Sequence, residues 1–206
     1  MWSITGSMKG PDKGSHTTAR DETGLRRLQD IETYWDSLRR DRRLPARAEV
    51  DPRSLQAALA QTFILERIAP GMARVRVAGH LLSDLLGVEM RGMPVGSLIV
   101  PESRMDFGAV LEDVFRGPAK ATLRFSGDPG PTRPRLAADM ILLPLTGHRG
   151  DVSRVLGGVA FHGQIGPRPR RLVLEGSFLR QVRRPEAAPL PQTRATHVPH
   201  LRLVEN

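Results

Sequence analysis

The chain has 206 residues, 31 Lys and Arg against 22 Asp and Glu, and a formal charge of +9. That length holds one domain with a sizeable core plus extensions and argues against a second full domain. Zero cysteines exclude disulfides, thiolate nucleophiles, Cys-ligated metals and thiol-linked chromophores, and fit a reducing, cytoplasmic setting. The charge is unevenly spread: residues 1–23 sum to zero, 24–165 to +4 and 166–206 to +5. No stretch approaches the roughly 18 apolar residues that cross a bilayer, and the N-terminus lacks a signal-type apolar segment.

Residues 1–23 read as a disordered leader of Gly, Ser, Thr and mixed charge. In residues 24–41 the apolar positions Leu25, Leu28, Ile31, Trp35 and Leu38 make one helical stripe, with Arg and Asp elsewhere. The stripe is too apolar to face water. A homodimer contact or docking on the chain's own sheet would bury it equally, and the dimer is the reading preferred. Asp51 followed by Pro52 starts a second helix, the carboxylate capping free N–H groups and proline sitting where no N–H is needed.

Thr62–Ile68 and Ala73–Ala78 read as paired strands around a turn at Pro70 and Gly71, with Val75 and Val77 alternating against Arg74 and Arg76. Leu81–Leu86 is a short helix, and residues 87–101 are broken by Gly87, Gly92, Pro94, Gly96 and Pro101. Glu102–Arg116 is a longer helix with Phe107, Val110, Leu111, Val114 and Phe115 on one side. Ala119–Ser126, Arg135–Leu145 and Arg154–Gln164 are three further strands joined by hairpin-type linkers. The expected fold is α+β: a five-stranded antiparallel sheet with short helices on one face, preceded by an amphipathic helix. The domain is expected over 24–165. Residues 166–206 read as a basic, Pro-rich tail in which only Leu172–Val182 has helical potential.

Three blocks in this order carry a family resemblance. They are Tyr34 to Arg40 (YWDSLRR), Leu44 to Arg47 running on to Val50–Pro52, and Arg74 to Gly79 (RVRVAG) leading into Leu81, Leu82, Leu85, Leu86 and Gly87. Together they resemble the alphaproteobacterial PAS subfamily formerly catalogued as a domain of unknown function, from about Leu25 to Gln164. The resemblance implies a sensory or interaction module whose sheet and helices enclose a small apolar cavity. It also implies an N-terminal helix that often dimerises. His80 stands where that subfamily commonly has a small hydroxyl residue.

No catalytic constellation assembles, and the chain reads as a non-enzyme. His197 and His200 form a weak metal pair without a neighbouring carboxylate, so no metal site is assigned. The cofactor is unknown. Haem-binding PAS domains generally take an axial His from the long helix, and Glu102–Arg116 has none; Met105 is read as packing. The residues placed at a ligand cavity are Leu81, Leu85, Met105, Phe107, Leu111, Met140, Leu142, Ala160 and His162, each also suited to an ordinary core. Asp139, in an apolar strand, is expected on the wet face or paired with a cation such as Arg124 across strands. Glu112 and Asp113 are expected on a solvated face.

The expected function is a cytoplasmic sensory module that binds a small apolar ligand or a protein partner and signals by protein–protein contact. The alternative is a regulator that binds nucleic acid or an anionic surface through its basic tail. It is less favoured because Phe178 is the single aromatic residue in 166–206. If the tail beyond Pro185 plays no part in folding, truncation after Arg184 will leave the melting temperature nearly unchanged in calorimetry. A drop of many degrees would show that it packs on the domain.

Overall fold

The computed structural model describes residues 22–40 and 42–183. Of the expected leader 1–23, residues 1–21 lie outside the described residues, as does the Pro-rich stretch beyond Arg183, while Glu22 and Thr23 already belong to the first helix.

The first helix, α1 (Glu22–Arg39), is followed by short 3₁₀ turns at Arg47–Glu49 and Pro52–Ala58. The second turn opens as its sequence requires, with the Asp51 carboxylate accepting from the Arg53 N–H at 3.0 Å. Then come β1 (Thr62–Ala69), β2 (Met72–Ala78), α2 (His80–Leu86), the 3₁₀ turn Val95–Leu98 and α3 (Arg104–Arg116). The chain finishes with β3 (Ala119–Gly127), β4 (Leu136–Thr146), β5 (Val152–Gly163) and β6 (Leu172–Gln181). All pairings are antiparallel, in the order β2-β1-β5-β4-β3-β6.

The sheet therefore has six strands rather than five. Leu172–Gln181, read from sequence as potentially helical, pairs along the whole of β3 from Ala119↔Gln181 to Gly127↔Leu172. Its path is fixed by the segment before it. Arg170, almost wholly buried, donates from both terminal nitrogens to the Ile165 and Pro134 carbonyls at 2.9 Å. The Val100 N–H donates to Leu172 O at 3.0 Å. An edge strand with one wet face and a bulge between Gly176 and Leu174 shows little period-two alternation, which hides it in the sequence.

Both faces of the sheet are covered. On the inner face α2, α3 and the turn Val95–Leu98 bury Leu85, Met90, Leu98, Phe107 and Leu111 against Phe63, Val75, Met140 and Leu142. On the outer face α1 lies across β5 and β4, burying Leu28, Ile31 and Trp35 against Ile64, Ile141, Leu143, Leu145 and Leu156. Gly158 makes this close approach feasible, since a Cβ there would stand 2.7 Å from the Ile31 side chain. Trp35 is fully buried, and its indole N–H donates to Pro144 O at 2.9 Å. Lys120 lies 5.0 Å from the Trp35 ring centre and reaches Glu32 at 2.6 Å and Asp36 at 2.7 Å, tying β3 to α1.

The stripe assigned to dimerisation is thus used within the chain. Leu28, Ile31 and Trp35 are covered by their own sheet, and Leu25 and Leu38 are half-buried at its margins. Full burial of three such side chains contributes on the order of 1.5–3 kcal/mol each, enough to hold a helix that is marginal alone. A second departure is Val77. Opposite Ile64/Leu65 the β2 partners jump from Val77 to Val75, leaving Arg76 as an extra residue. The bulge turns Val77 to the outer face, half-exposed, while Val75 stays buried.

Trp35→Ala is expected to lower the unfolding free energy by about 3–5 kcal/mol in urea titration. Replacing Leu28 and Ile31 with Glu should likewise cost stability while the elution mass on a sizing column stays constant. Dissociation of a larger species with full stability would instead assign the stripe to a dimer.

Candidate functional site

On the inner side a cleft of about 400 Å³ opens between the turn Val95–Leu98, the N-terminal half of α3 and the start of β2. Its lining is mostly apolar, with Ala73, Val95, Phe107 and Leu111 at its floor and Met72 at its edge. Arg104, at the first position of α3, supplies a cation to the lining, its Nε donating to Ile99 O at 3.1 Å. Among the described residues Arg104 forms no ion pair, and Ser97, whose hydroxyl donates to Pro94 O, is the other polar side chain here. An apolar floor with one cation beside it suits a molecule with an apolar body and an anionic group.

The wall on the β1–β2 side is held by α3. Gly71 has φ +64°, and a Cβ there would stand 3.1 Å from Gly108 O, so the turn approaches the helix backbone closely. Glu112 fixes that approach, accepting from the Gly71 N–H at 2.9 Å and from Arg67 at 2.6 Å. Its carboxyl is held below the ordinary range first by the Gly71 N–H and then by Arg67, against the opposing effect of burial. Glu112 was expected to face solvent; its role in the turn is tertiary and carries no local signal.

The residues expected at a ligand cavity divide among three places. Leu85, Phe107, Leu111, Met140 and Leu142 are all buried in the inner-face core, and Leu81 is half-buried against it. Phe107 and Leu111 also reach the cleft. Met105 is 82% exposed and lies outside any core, because it falls on the side of α3 turned away from the sheet. Ala160 and His162 lie on the outer face, and His162 Nε2 sits 2.9 Å from Asp139 Oδ2, both groups buried. Asp139 does stand opposite Arg124 on β3 in register, and it also meets His162 from β5, the neighbouring strand on its other side. Arg104 and Val95 went unseen because they lie in a stretch read only as turns and helix start. The signal open to sequence reading was a lone cation one turn before Phe107.

A second ionic group sits on the outer face, where the Glu66 carboxylate takes Arg74 at 2.7 Å, Arg76 at 2.5 Å and Arg154 at 2.7 Å. The Arg76 hydrogen bond, then that of Arg74 and the charge of Arg154, lower its pKa to about 2, with burial opposing. Among the described residues no group of three or more His, Asp or Glu could hold a metal ion. No helix there is long and apolar enough to cross a membrane.

The family model described as PAS domain matches residues 25–160. Among solved structures, a light-state Aureochrome1 LOV blue-light photoreceptor is 14% identical, covering 52% of this chain and 85% of its own, at TM-score 0.38. A light-oxygen-voltage domain studied with a flavin analogue is 17% identical, covering 53% and 82%, at 0.39. An RNA-binding light-oxygen-voltage receptor is also 17% identical, covering 57% of this chain and 35% of that one, at 0.38. No curated protein matches the chain.

Because the folded pKa of Glu66 is depressed, its contribution to stability is fully present above the ordinary carboxyl range. It is lost as pH falls from about 4.5 towards about 2. Glu66→Gln is therefore expected to cost about 1–3 kcal/mol at neutral pH, discounted for the exposed guanidiniums, and to flatten the acid limb of the stability curve. An unchanged acid limb in urea titrations from pH 6 to pH 2.5 would contradict this assignment.

Proposed function

The chain belongs to the PAS domain family, and from that premise we propose that it is a non-catalytic sensory module. It binds a small, largely apolar molecule carrying an anionic group and passes the change to a protein partner by surface contact. The observation that carries this reading is the cleft floored by Phe107 and Leu111 with Arg104 in its lining. Of the residues expected at the ligand, Leu85, Met140 and Leu142 back this floor from the sheet and α2, as Leu81 does from the margin. Transmission rests on α3. The helix lines the cleft with Phe107 and Leu111 and holds the β1–β2 turn through Glu112, so a ligand that shifts α3 biases both. Ile68 and Met72, exposed beside that turn, offer apolar surface to a partner. Under this reading the protein acts in the cytoplasm.

Gly96 gives a clean test. It lines the cleft, and a Cβ there would meet nothing within 4 Å, so the backbone at this position has room to start a side chain. The fluorescence of anilinonaphthalene sulfonate, an apolar body with an anionic group, is expected to rise on binding the native chain. Gly96→Phe should abolish that rise at an unchanged melting temperature, and Arg104→Gln, which also gives up the bond to Ile99 O, should weaken binding about tenfold at a small cost in stability. Equal binding by all three proteins would remove the cleft from consideration. Native mass spectrometry of the purified chain should show a retained small molecule as added mass, absent from Gly96→Phe.

A further inference from the structure

The outer face carries a pocket of different character. Beyond the end of α1, a concavity of about 640 Å³ lies between the 3₁₀ turn Arg47–Glu49, the tip of the β4–β5 hairpin and the outer side of β1 and β5. Its walls are fastened together. The Thr146 N–H donates to Pro45 O at 3.0 Å, which holds the Arg47 segment against the hairpin, and the Gly147 N–H donates to Asp151 O at 2.8 Å to close the tip.

Cations dominate this pocket. Arg47, Arg149 and Arg154 line it, and Arg74 and Arg76 join Arg154 on the Glu66 carboxylate. Three arginines and two carboxylates, Glu66 and Asp151, thus line the pocket, and Arg74 and Arg76 add two more positive charges at Glu66. Glu66 is saturated by its three partners, each of which keeps further guanidinium N–H groups. The guanidiniums of Arg47 and Arg149 make no hydrogen bond or ion pair among the described residues, although they come from segments about a hundred positions apart. Two uncommitted forks beside a fixed positive cluster match the oxygens of a phosphate group, which accepts from several guanidiniums at once. The volume is that of a small-ligand pocket, and its concave shape favours a compact molecule over an extended strand.

We propose that this pocket binds the phosphate or diphosphate group of a small soluble molecule, with Arg47 and Arg149 as its principal ligands. It lies on the face of the sheet opposite the apolar cleft and is separate from it.

Calorimetric titration with inorganic pyrophosphate at about 150 mM salt, where long-range attraction is screened, tests this directly. One saturable site is expected. The double variant Arg47→Gln/Arg149→Gln should weaken it about ten- to hundredfold. Neither guanidinium forms a hydrogen bond or ion pair among the described residues, and glutamine keeps part of each aliphatic stem, so the melting temperature without pyrophosphate should move little. Arg116→Gln, on α3 and 76% exposed at its side chain, should bind as the native chain does. Absence of saturable binding, equal binding by the double variant, or equal weakening by Arg116→Gln would each overturn the proposal. Cosedimentation with phosphatidylcholine vesicles containing phosphatidate separates the two sources of such a group. Vesicle binding without any pyrophosphate binding would replace the soluble ligand with a lipid headgroup and overturn the proposal as stated.

Discussion

The central strands of the sheet are apolar on both sides, and the rest of the architecture answers to that fact. Met140 to Leu145 is an uninterrupted apolar run in β4. Met140 and Leu142 face inward, while Ile141, Leu143 and Leu145 face outward. A strand of this kind is stable only when both faces are shielded from water. The inner face is covered by α2, α3 and the turn between them. The outer face needs a second cover, and α1 is the element with a matching stripe.

Covering the outer face with a single helix has consequences at its borders. One helix spans β5 and β4 but not the full width of six strands. On the β1 side the uncovered sheet is occupied by Glu66 and its arginines, which cap the apolar core with a wet, ion-paired surface. On the β3 side, a cleft beside α1 is lined by Leu25, Glu32, Arg124, Asp139 and Phe178. The buried Asp139–His162 pair sits under this margin, where a carboxylate needs a partner because water is largely excluded.

The inner face solves a different problem. Its helices are short, and the loops between α2 and α3 leave an indentation where packing is incomplete. The close approach of Gly71 to α3 and the Glu112 clamp define one wall of that indentation. The two faces of the same sheet therefore differ in character. One side is dominated by aliphatic and aromatic side chains, and the other by guanidiniums at its open end.

Local pattern determined much of this. Five strands, the Asp51–Pro52 start and the apolar side of Glu102–Arg116 were legible because each writes a period or a cap into consecutive residues. The stripe of α1 was legible as buried, but its partner was not, since a second chain and the chain's own sheet would bury the same Leu28, Ile31 and Trp35. Tertiary structure decided for the sheet, through Gly158 and the bond from Trp35 to Pro144 O. It also decided which face each cavity residue takes. Period-two alternation separates the sides of one strand but does not say which side meets α3, so Ala160 and His162 were grouped with Met140 and Leu142 although they face the other way. β6 escaped notice for a related reason: an edge strand is stabilised by the N–H and C=O groups of its neighbour, and backbone pairing leaves no mark in the side-chain sequence. The pairing of Arg47 with Arg149 is more distant still, since only the folded hairpin brings the two forks to one pocket.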